Sequence, residues 1–407
     1  MTKNLHSNHG GNILSYEKDL YDNVINADAG NFNFQKLKII DFSASINPFG
    51  LSKNAVKIIK NYKLIKIFVE NYPESYSEAL TATLSVYHNV GKGSLFLGAG
   101  ATDLIFNIAQ VIRPKTVIIV EPSFLEYERA AKSVKSSLIR INTYSGDNFK
   151  LSGKSYLNLL KNIEKANKND LVFIASPSNP AGIITPFDNI KEILNLLKKR
   201  GAFLVLDESF MDFCERFSAK GMIDEYNNLI IVRSLTKFFA MPGERLGYII
   251  ANNKTIKKFS KDIIPWKITG LGTAIAISSL NSKDYIANIL QKLKKIKYNL
   301  HSKLRDLGAF EVIRGEANFF LMRIKLRGFN ALDLKNYLVK SGILIRYCGN
   351  YHGLNDKYFR IAVRKKSEND YLISKLKELV KSGYSHPDIQ YIYAKYRRPD
   401  SETGPLS

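Results

Sequence analysis

Three short stretches of this chain carry residue types that can do chemistry, and each follows an apolar run. Ser234-Leu235-Thr236-Lys237 comes just after Leu229–Val232, and Arg245 lies eight residues beyond Lys237 within Pro242-Gly243-Glu244-Arg245-Leu246-Gly247-Tyr248. A lysine amine can attack a carbonyl carbon once its charge is suppressed. Taken alone, a lysine at a strand exit is more often a surface residue. Asp207 closes the run Phe203-Leu204-Val205-Leu206, and a carboxylate there can cap a helix, ligate a metal or partner a cofactor. Ser176-Pro177-Ser178-Asn179-Pro180-Ala181-Gly182 follows Leu171–Ala175 and by itself reads as a turn. Ligands of α/β sheets bind at the C-terminal ends of the strands, so the three stretches together are far more specific than any one.

The elements that must position these residues are legible from periodicity. From about Leu95, short apolar runs (Thr116–Val120, Leu171–Ala175, Phe203–Leu206, Leu229–Val232) alternate with helical patterns such as Leu104–Val111 and Ile190–Lys199. That alternation predicts βαβ units and a mostly parallel sheet. Near Asp284 the texture changes. A long helical pattern over about Tyr285–Leu307 leads to short strands at Phe319–Ile324 and Leu344–Arg346 and a helix over about Glu368–Lys381. This predicts a smaller α+β domain, completed by the N-terminal segment. The expected organisation is an N-terminal segment 1–50 packing with the small domain and the site, a large domain 51–282, a small domain 283–383, and a tail 384–407 without periodicity.

Composition bounds the setting. The 407 residues are 45% hydrophobic, enough for a substantial core. No apolar run is long enough for a transmembrane helix. Met1–Gly11 is polar, without a signal core. The two cysteines, Cys214 and Cys348, do not point to a disulfide framework. The expected location is the cytoplasm. A net charge of +23 raises nucleic acid or an acidic membrane surface as partners. The basic residues are scattered, however, and many sit on helix faces, as do Lys292, Lys294, Lys295 and Lys297, which reads as a solvated surface. A positive field would still favour anionic substrates.

In order and spacing, the three stretches resemble the aspartate-aminotransferase-like superfamily of pyridoxal-phosphate enzymes (fold type I), over nearly the whole chain from His9 to Lys381. The resemblance implies that Lys237 carries the cofactor as a Schiff base. It implies that Asp207 pairs with the pyridinium nitrogen and that Asn179 donates to the ring 3-oxygen. Gly98-Ala99-Gly100-Ala101-Thr102-Asp103 would offer the N–H of Ala101 and the side chain of Thr102, at a helix N-terminus, to the cofactor phosphate. Ser234 and Arg245 would complete that phosphate site, and Phe124 would stack on the ring.

Finer strings narrow the resemblance. They are His9-Gly10-Gly11-Asn12, Asp41-Phe42-Ser43-Ala44-Ser45-Ile46-Asn47-Pro48, Tyr72-Pro73-Glu74, Arg233-Ser234-Leu235-Thr236-Lys237-Phe238 and Pro265-Trp266. Ile345-Arg346, Cys348, Asn350-Tyr351 and Tyr358-Phe359-Arg360-Ile361-Ala362-Val363-Arg364 complete the set. Together they resemble the threonine-phosphate decarboxylases, cobalamin-pathway relatives of the histidinol-phosphate aminotransferases. Phe210 agrees, standing where the aminotransferases usually carry a tyrosine. The resemblance implies a small phosphorylated amino acid as substrate, with Arg360 on its carboxylate and Arg346 and His9 on its phosphate, joined by Ser43 or Asn47. Asn179 would also face the substrate. Tyr72 would reach the cofactor phosphate of the other subunit of a homodimer with shared sites. Two departures are Ser45, where the family usually has Asn, and Glu316, where a basic residue can occur. The first bears on threonine phosphate against serine phosphate.

Two rival readings are an aminotransferase acting on histidinol phosphate or an aromatic amino acid, and an aminotransferase-like regulatory or nucleic-acid-binding module. The first would use the same lysine, aspartate and arginines; Phe210 and the opening His-Gly-Gly-Asn argue against it. The second draws on the +23 charge and the segment Tyr391–Arg398, but lacks a recognisable DNA-reading element before residue 41.

Overall fold

The computed structural model describes residues 39–382, Ile263 excepted. His9 and the segment from Gly383 onward lie outside the described residues. The strands are β1 (Ile40–Asp41), β2 (Leu95–Gly98), β3 (Thr116–Glu121), β4 (Ser137–Asn142), β5 (Leu171–Ala175), β6 (Phe203–Asp207), β7 (Leu229–Ser234) and β8 (Gly247–Ala251). They continue with β9 (Phe310–Ile313), β10 (Phe319–Ile324), β11 (Ile343–Leu344), β12 (Arg346–Tyr347) and β13 (Tyr358–Ala362).

β5 reads Leu-Val-Phe-Ile-Ala and β6 Phe-Leu-Val-Leu-Asp, and every residue of both is buried. Continuous apolar runs of this kind suit parallel strands covered on both faces. They lie inside a seven-stranded sheet of order β2-β8-β7-β6-β5-β3-β4. β4, β3, β5, β6 and β7 pair in parallel, while β8 is antiparallel to both β7 and β2. Crossover helices such as Ala101–Ile112 and Phe187–Arg200 cover the sheet, each burying an apolar stripe. The fold is α/β and aspartate-aminotransferase-like. Parallel register brings the C-terminal residues Ala175 and Asp207 side by side, with Ser234 at the end of the next strand. The three stretches named from sequence therefore converge on one edge of the sheet.

A four-stranded antiparallel sheet of order β12-β13-β10-β9 forms the smaller unit. The long helix Lys283–Asp306 and the helix Lys366–Lys381 contact one another beside it. The sequence suggests one strand over Leu344–Arg346. The chain instead divides there: β11 pairs in parallel with β1, whereas β12 pairs antiparallel with β13. Ile345 is the step between two different partners. Residues 39–50 are tied to this unit by that β1 pairing and by the Ala362 N–H, which donates to the Phe42 carbonyl at 2.8 Å. Among the described residues, no helix is long and apolar enough to cross a membrane.

Candidate active site

A cavity of about 440 Å³ opens at the C-terminal edge of the large sheet, within the roughly 300–1,000 Å³ usual for small-molecule sites. One wall comes from the strand ends and their loops: Ala175, Asn179, Asp207, Phe210, Ser234 and Lys237. Arg346 and Arg360 of the small sheet, Tyr351 from the loop between them, and Ser43 and Ser45 form the other.

Lys237 is half-buried at the centre. Burial pushes its ammonium down to about 8, Arg360 and then Arg245 add to that, and Asp207 opposes it. Removing a cation from water disfavours the charged form, and two guanidinium neighbours repel it. The amine is therefore substantially neutral near pH 8 and available as a nucleophile. Asp207 is held from two sides. Tyr127 Oη donates to Oδ2 at 2.5 Å and the Ser209 N–H donates to Oδ1 at 2.9 Å.

The end of the cavity near β2 is shaped for a phosphate. Gly100 precedes the helix Ala101–Ile112 at φ +91, a conformation that L side chains rarely adopt. Its missing Cβ leaves room for the Arg245 guanidinium; a Cβ built there would lie 3.1 Å from Nη2. Gly247 permits a closer approach still, because a Cβ would stand 2.8 Å from both the Ala101 nitrogen and the Gly100 carbonyl carbon. Ala101, Thr102, Ser234, Thr236 and Arg245 all line this end, with the Ser234 and Thr236 hydroxyls 2.7 Å apart. A helix N-terminus, hydroxyls and a guanidinium form a donor set for a phosphate dianion. Phe124 lines the adjacent wall.

Pyridoxal phosphate fits these residues. The glycine-built cradle would take its phosphate, Lys237 its aldehyde carbon and Asp207 its ring nitrogen, with Asn179 at the 3-oxygen.

At the opposite end, β12 and β13 pair antiparallel with Arg346 directly across from Arg360. Directly opposed residues project to the same face of a sheet, which is why both guanidinium groups reach one cavity. Arg360 Nη1 donates to Asn179 Oδ1 at 2.5 Å and Nη2 to the Ser43 carbonyl at 3.0 Å. Its guanidinium lies 4.8 Å above the Phe319 ring, which meets Phe210 edge-on at 5.0 Å. Arg346 lies 5.1 Å above the Tyr351 ring and donates to the Tyr347 carbonyl.

Not every expected residue comes to this cavity. Asn47 is drawn away: its backbone N–H donates to the Lys237 carbonyl at 2.9 Å, which turns its amide toward the Phe238 carbonyl and the Tyr285 hydroxyl, at 2.9 and 2.8 Å. It thus braces the lysine segment. Tyr72, expected at the cofactor of a partner copy and not in this cavity, is exposed and packs on Trp266, with ring centroids 5.3 Å apart.

Sequence reasoning passed over Tyr127, Ser209 and Thr236, and over the pair in which Arg129 donates to Glu126 at 2.8 Å on the cavity wall. Tyr127 falls one helical turn after Phe124, a spacing that points to it once Phe124 is chosen.

Comparison with known proteins finds relatives over most of the chain. Threonine-phosphate decarboxylase of Salmonella typhimurium is 28% identical over 346 residues, covering 84% of this chain and 92% of that protein. A histidinol-phosphate aminotransferase of Methanosphaera stadtmanae is 26% identical over 362 residues, covering 87% and 94%. The crystal structure of the histidinol-phosphate aminotransferase from Clostridium acetobutylicum superposes with a TM-score of 0.76 at 28% identity, covering 84% of this chain and 99% of that one. The family model for aminotransferase class I and II matches residues 38–376. The chain belongs to this family and is a pyridoxal-phosphate-dependent enzyme.

Proposed function

We propose that the enzyme decarboxylates L-threonine O-3-phosphate to (R)-1-amino-2-propanol O-2-phosphate, a step that serves cobalamin biosynthesis. The observation that carries this reading is the opposed pair Arg346 and Arg360 on one face of the small sheet, both lining the cavity that holds Lys237. Two guanidinium groups on one face at one cavity suit a ligand with two anionic groups. A phosphorylated amino acid carries both a carboxylate and a phosphate. The Salmonella relative supports the same substrate.

In this reading Arg360 binds the substrate carboxylate. Its guanidinium is held by Asn179 and the Ser43 carbonyl, so the carboxylate has a defined direction. Arg346 binds the phosphate, with His9 and Ser43. Binding energy from the remote phosphate holds the Cα–carboxylate bond where it can break. When bound, pyridoxal phosphate supplies an electron sink for the pair left by departing CO₂. Asp207 holds the proton on the ring nitrogen. Lys237 Nζ, its pKa lowered to about 8 by burial and the two arginines, takes up a proton as the displaced free amine and, as the ammonium, returns it to Cα. Phe210 brings no hydroxyl to the cavity. The enzyme acts as a homodimer, Tyr72 reaching the cofactor phosphate of the partner copy.

Histidinol-phosphate aminotransferases are also near relatives, and a keto acid titration separates the two activities. An aminotransferase converts the cofactor to its amine form with the substrate amine and restores it with a keto acid. The decarboxylase leaves the cofactor absorbance unconverted after many turnovers of threonine phosphate. Stoichiometric conversion that a keto acid reverses would contradict the proposal.

A further inference from the structure

We propose that Tyr127 is a positioning residue that orients the Asp207 carboxylate and, through it, keeps the proton on the ring nitrogen of the bound cofactor. The inference rests on the cofactor placement given above and not on the identity of the substrate.

Tyr127 lies on the helix Glu126–Ser133, behind the cavity wall, and is buried. Its ring stacks on Phe173 of β5 at 4.9 Å with planes 15° apart, and it meets Phe124 edge-on at 6.0 Å. Aromatic contacts on two sides fix the ring and aim its hydroxyl at the end of the neighbouring strand. There it donates to Asp207 Oδ2 at 2.5 Å, while the Ser209 N–H donates to Oδ1 at 2.9 Å. The two donors together set the plane of the carboxylate. Tyr127 does not line the cavity, so it acts through Asp207.

The electrostatic consequence has a definite sign. A hydrogen bond to an ionised carboxylate stabilises the charged form and lowers its proton affinity. Where a carboxylate and a pyridine nitrogen share one proton, the more basic partner keeps it. The phenol therefore biases the proton toward the nitrogen. Burial, reinforced by the adjacent Asp207 charge, pushes the phenol pKa well above 10, so Tyr127 stays a donor throughout the working range. A bond of this charged type is worth more than a neutral one, and more again in a low-dielectric interior.

The test uses holoenzyme reconstituted with pyridoxal phosphate labelled with ¹⁵N in the ring, and reads the ring-nitrogen chemical shift together with the cofactor dissociation constant. Four proteins are compared: wild type, Tyr127→Phe, Asp207→Asn and Phe173→Leu. Tyr127→Phe keeps the stacked ring and removes only the donor. Its nitrogen signal is expected to move from the protonated position toward that of Asp207→Asn, with cofactor affinity falling about tenfold. Phe173→Leu keeps the donor but loosens its aim, and its nitrogen signal is expected to shift less than that of Tyr127→Phe. A wild-type signal in Tyr127→Phe, where Asp207→Asn has shifted, overturns the role of Tyr127. An equal shift in Phe173→Leu overturns it too, because packing alone would then explain the effect. If Asp207→Asn itself leaves the signal unmoved, the cofactor placement fails and takes the inference with it.

Discussion

Arg360 donates to the Asn179 side-chain carbonyl across 2.5 Å, joining β13 of the small sheet to the loop that follows β5 of the large one. The bond commits the Asn179 oxygen to the guanidinium and leaves the amide N–H₂ as the group available to a cofactor oxygen. One side chain thereby links the Arg346 and Arg360 side of the cavity to the Lys237 side.

The depressed pKa of Lys237, about 8, sets a pH profile for cofactor capture by the apoprotein. Only the neutral amine attacks the aldehyde, so the capture rate should rise about tenfold per pH unit well below 8 and level off above it. Stopped-flow absorbance checks this. A profile still rising through pH 10 would mean an unperturbed lysine. Lys237→Ala should lose the visible, borohydride-reducible chromophore altogether.

Asp207→Asn should preserve shape while removing the charge assigned to keeping the ring nitrogen protonated. Turnover is expected to fall at least about a hundredfold. Near-normal turnover in a folded, cofactor-loaded variant would refute the assignment.

The phosphate cradle depends on the missing side chain at Gly247. A Cβ would lie within 2.9 Å of the Arg233 carbonyl oxygen as well as 2.8 Å from the Gly100 and Ala101 backbone, and none of these can yield without moving β7 or the helix start. Overpacking of this kind costs about 1–3 kcal/mol. Gly247→Ala should therefore weaken cofactor binding tenfold or more, as read by equilibrium titration. Gly243→Ala, where a Cβ meets nothing within 4 Å, should bind as wild type does.

The fold was legible in the sequence wherever burial is two-sided. β5 coincides with the apolar run Leu171–Ala175, and β10 with Phe319–Ile324. β8 and the helices Lys53–Lys60, Tyr62–Glu70 and Glu78–His88 were not read. β8 follows so closely on the Arg245 motif that its chemistry masks its strand pattern. Tyr62–Glu70 has no buried residue, so no core stripe marks it. For the site, motif order identified Lys237, Asp207, Asn179 and the glycine turn as residues of one cavity. Motif order could not say that Asn47 turns toward the Phe238 carbonyl, because that depends on a backbone bond to Lys237. Nor could it find Tyr127, whose role comes from a contact between residues 80 apart in the chain.

Arg346→Lys should keep the charge but lose the planar fork that grips a phosphate through two parallel bonds. Turnover of threonine phosphate is expected to fall much further than turnover of unphosphorylated threonine, so most discrimination between them disappears. Cofactor absorbance should be unchanged, since the other phosphate is assigned to Ala101, Thr102, Ser234 and Arg245. Loss of cofactor from the variant would assign Arg346 to that phosphate instead.

Product analysis with L-threonine O-3-phosphate tests the central claim most directly. The purified, cofactor-loaded enzyme is incubated with that substrate, and in parallel with L-serine O-phosphate, and both CO₂ and the amine products are quantified. The account predicts one CO₂ and one 1-amino-2-propanol O-2-phosphate per threonine phosphate consumed, over many turnovers and without added keto acid, with serine phosphate turned over more slowly to ethanolamine phosphate. Consumption that requires a keto acid and yields no CO₂ would contradict it.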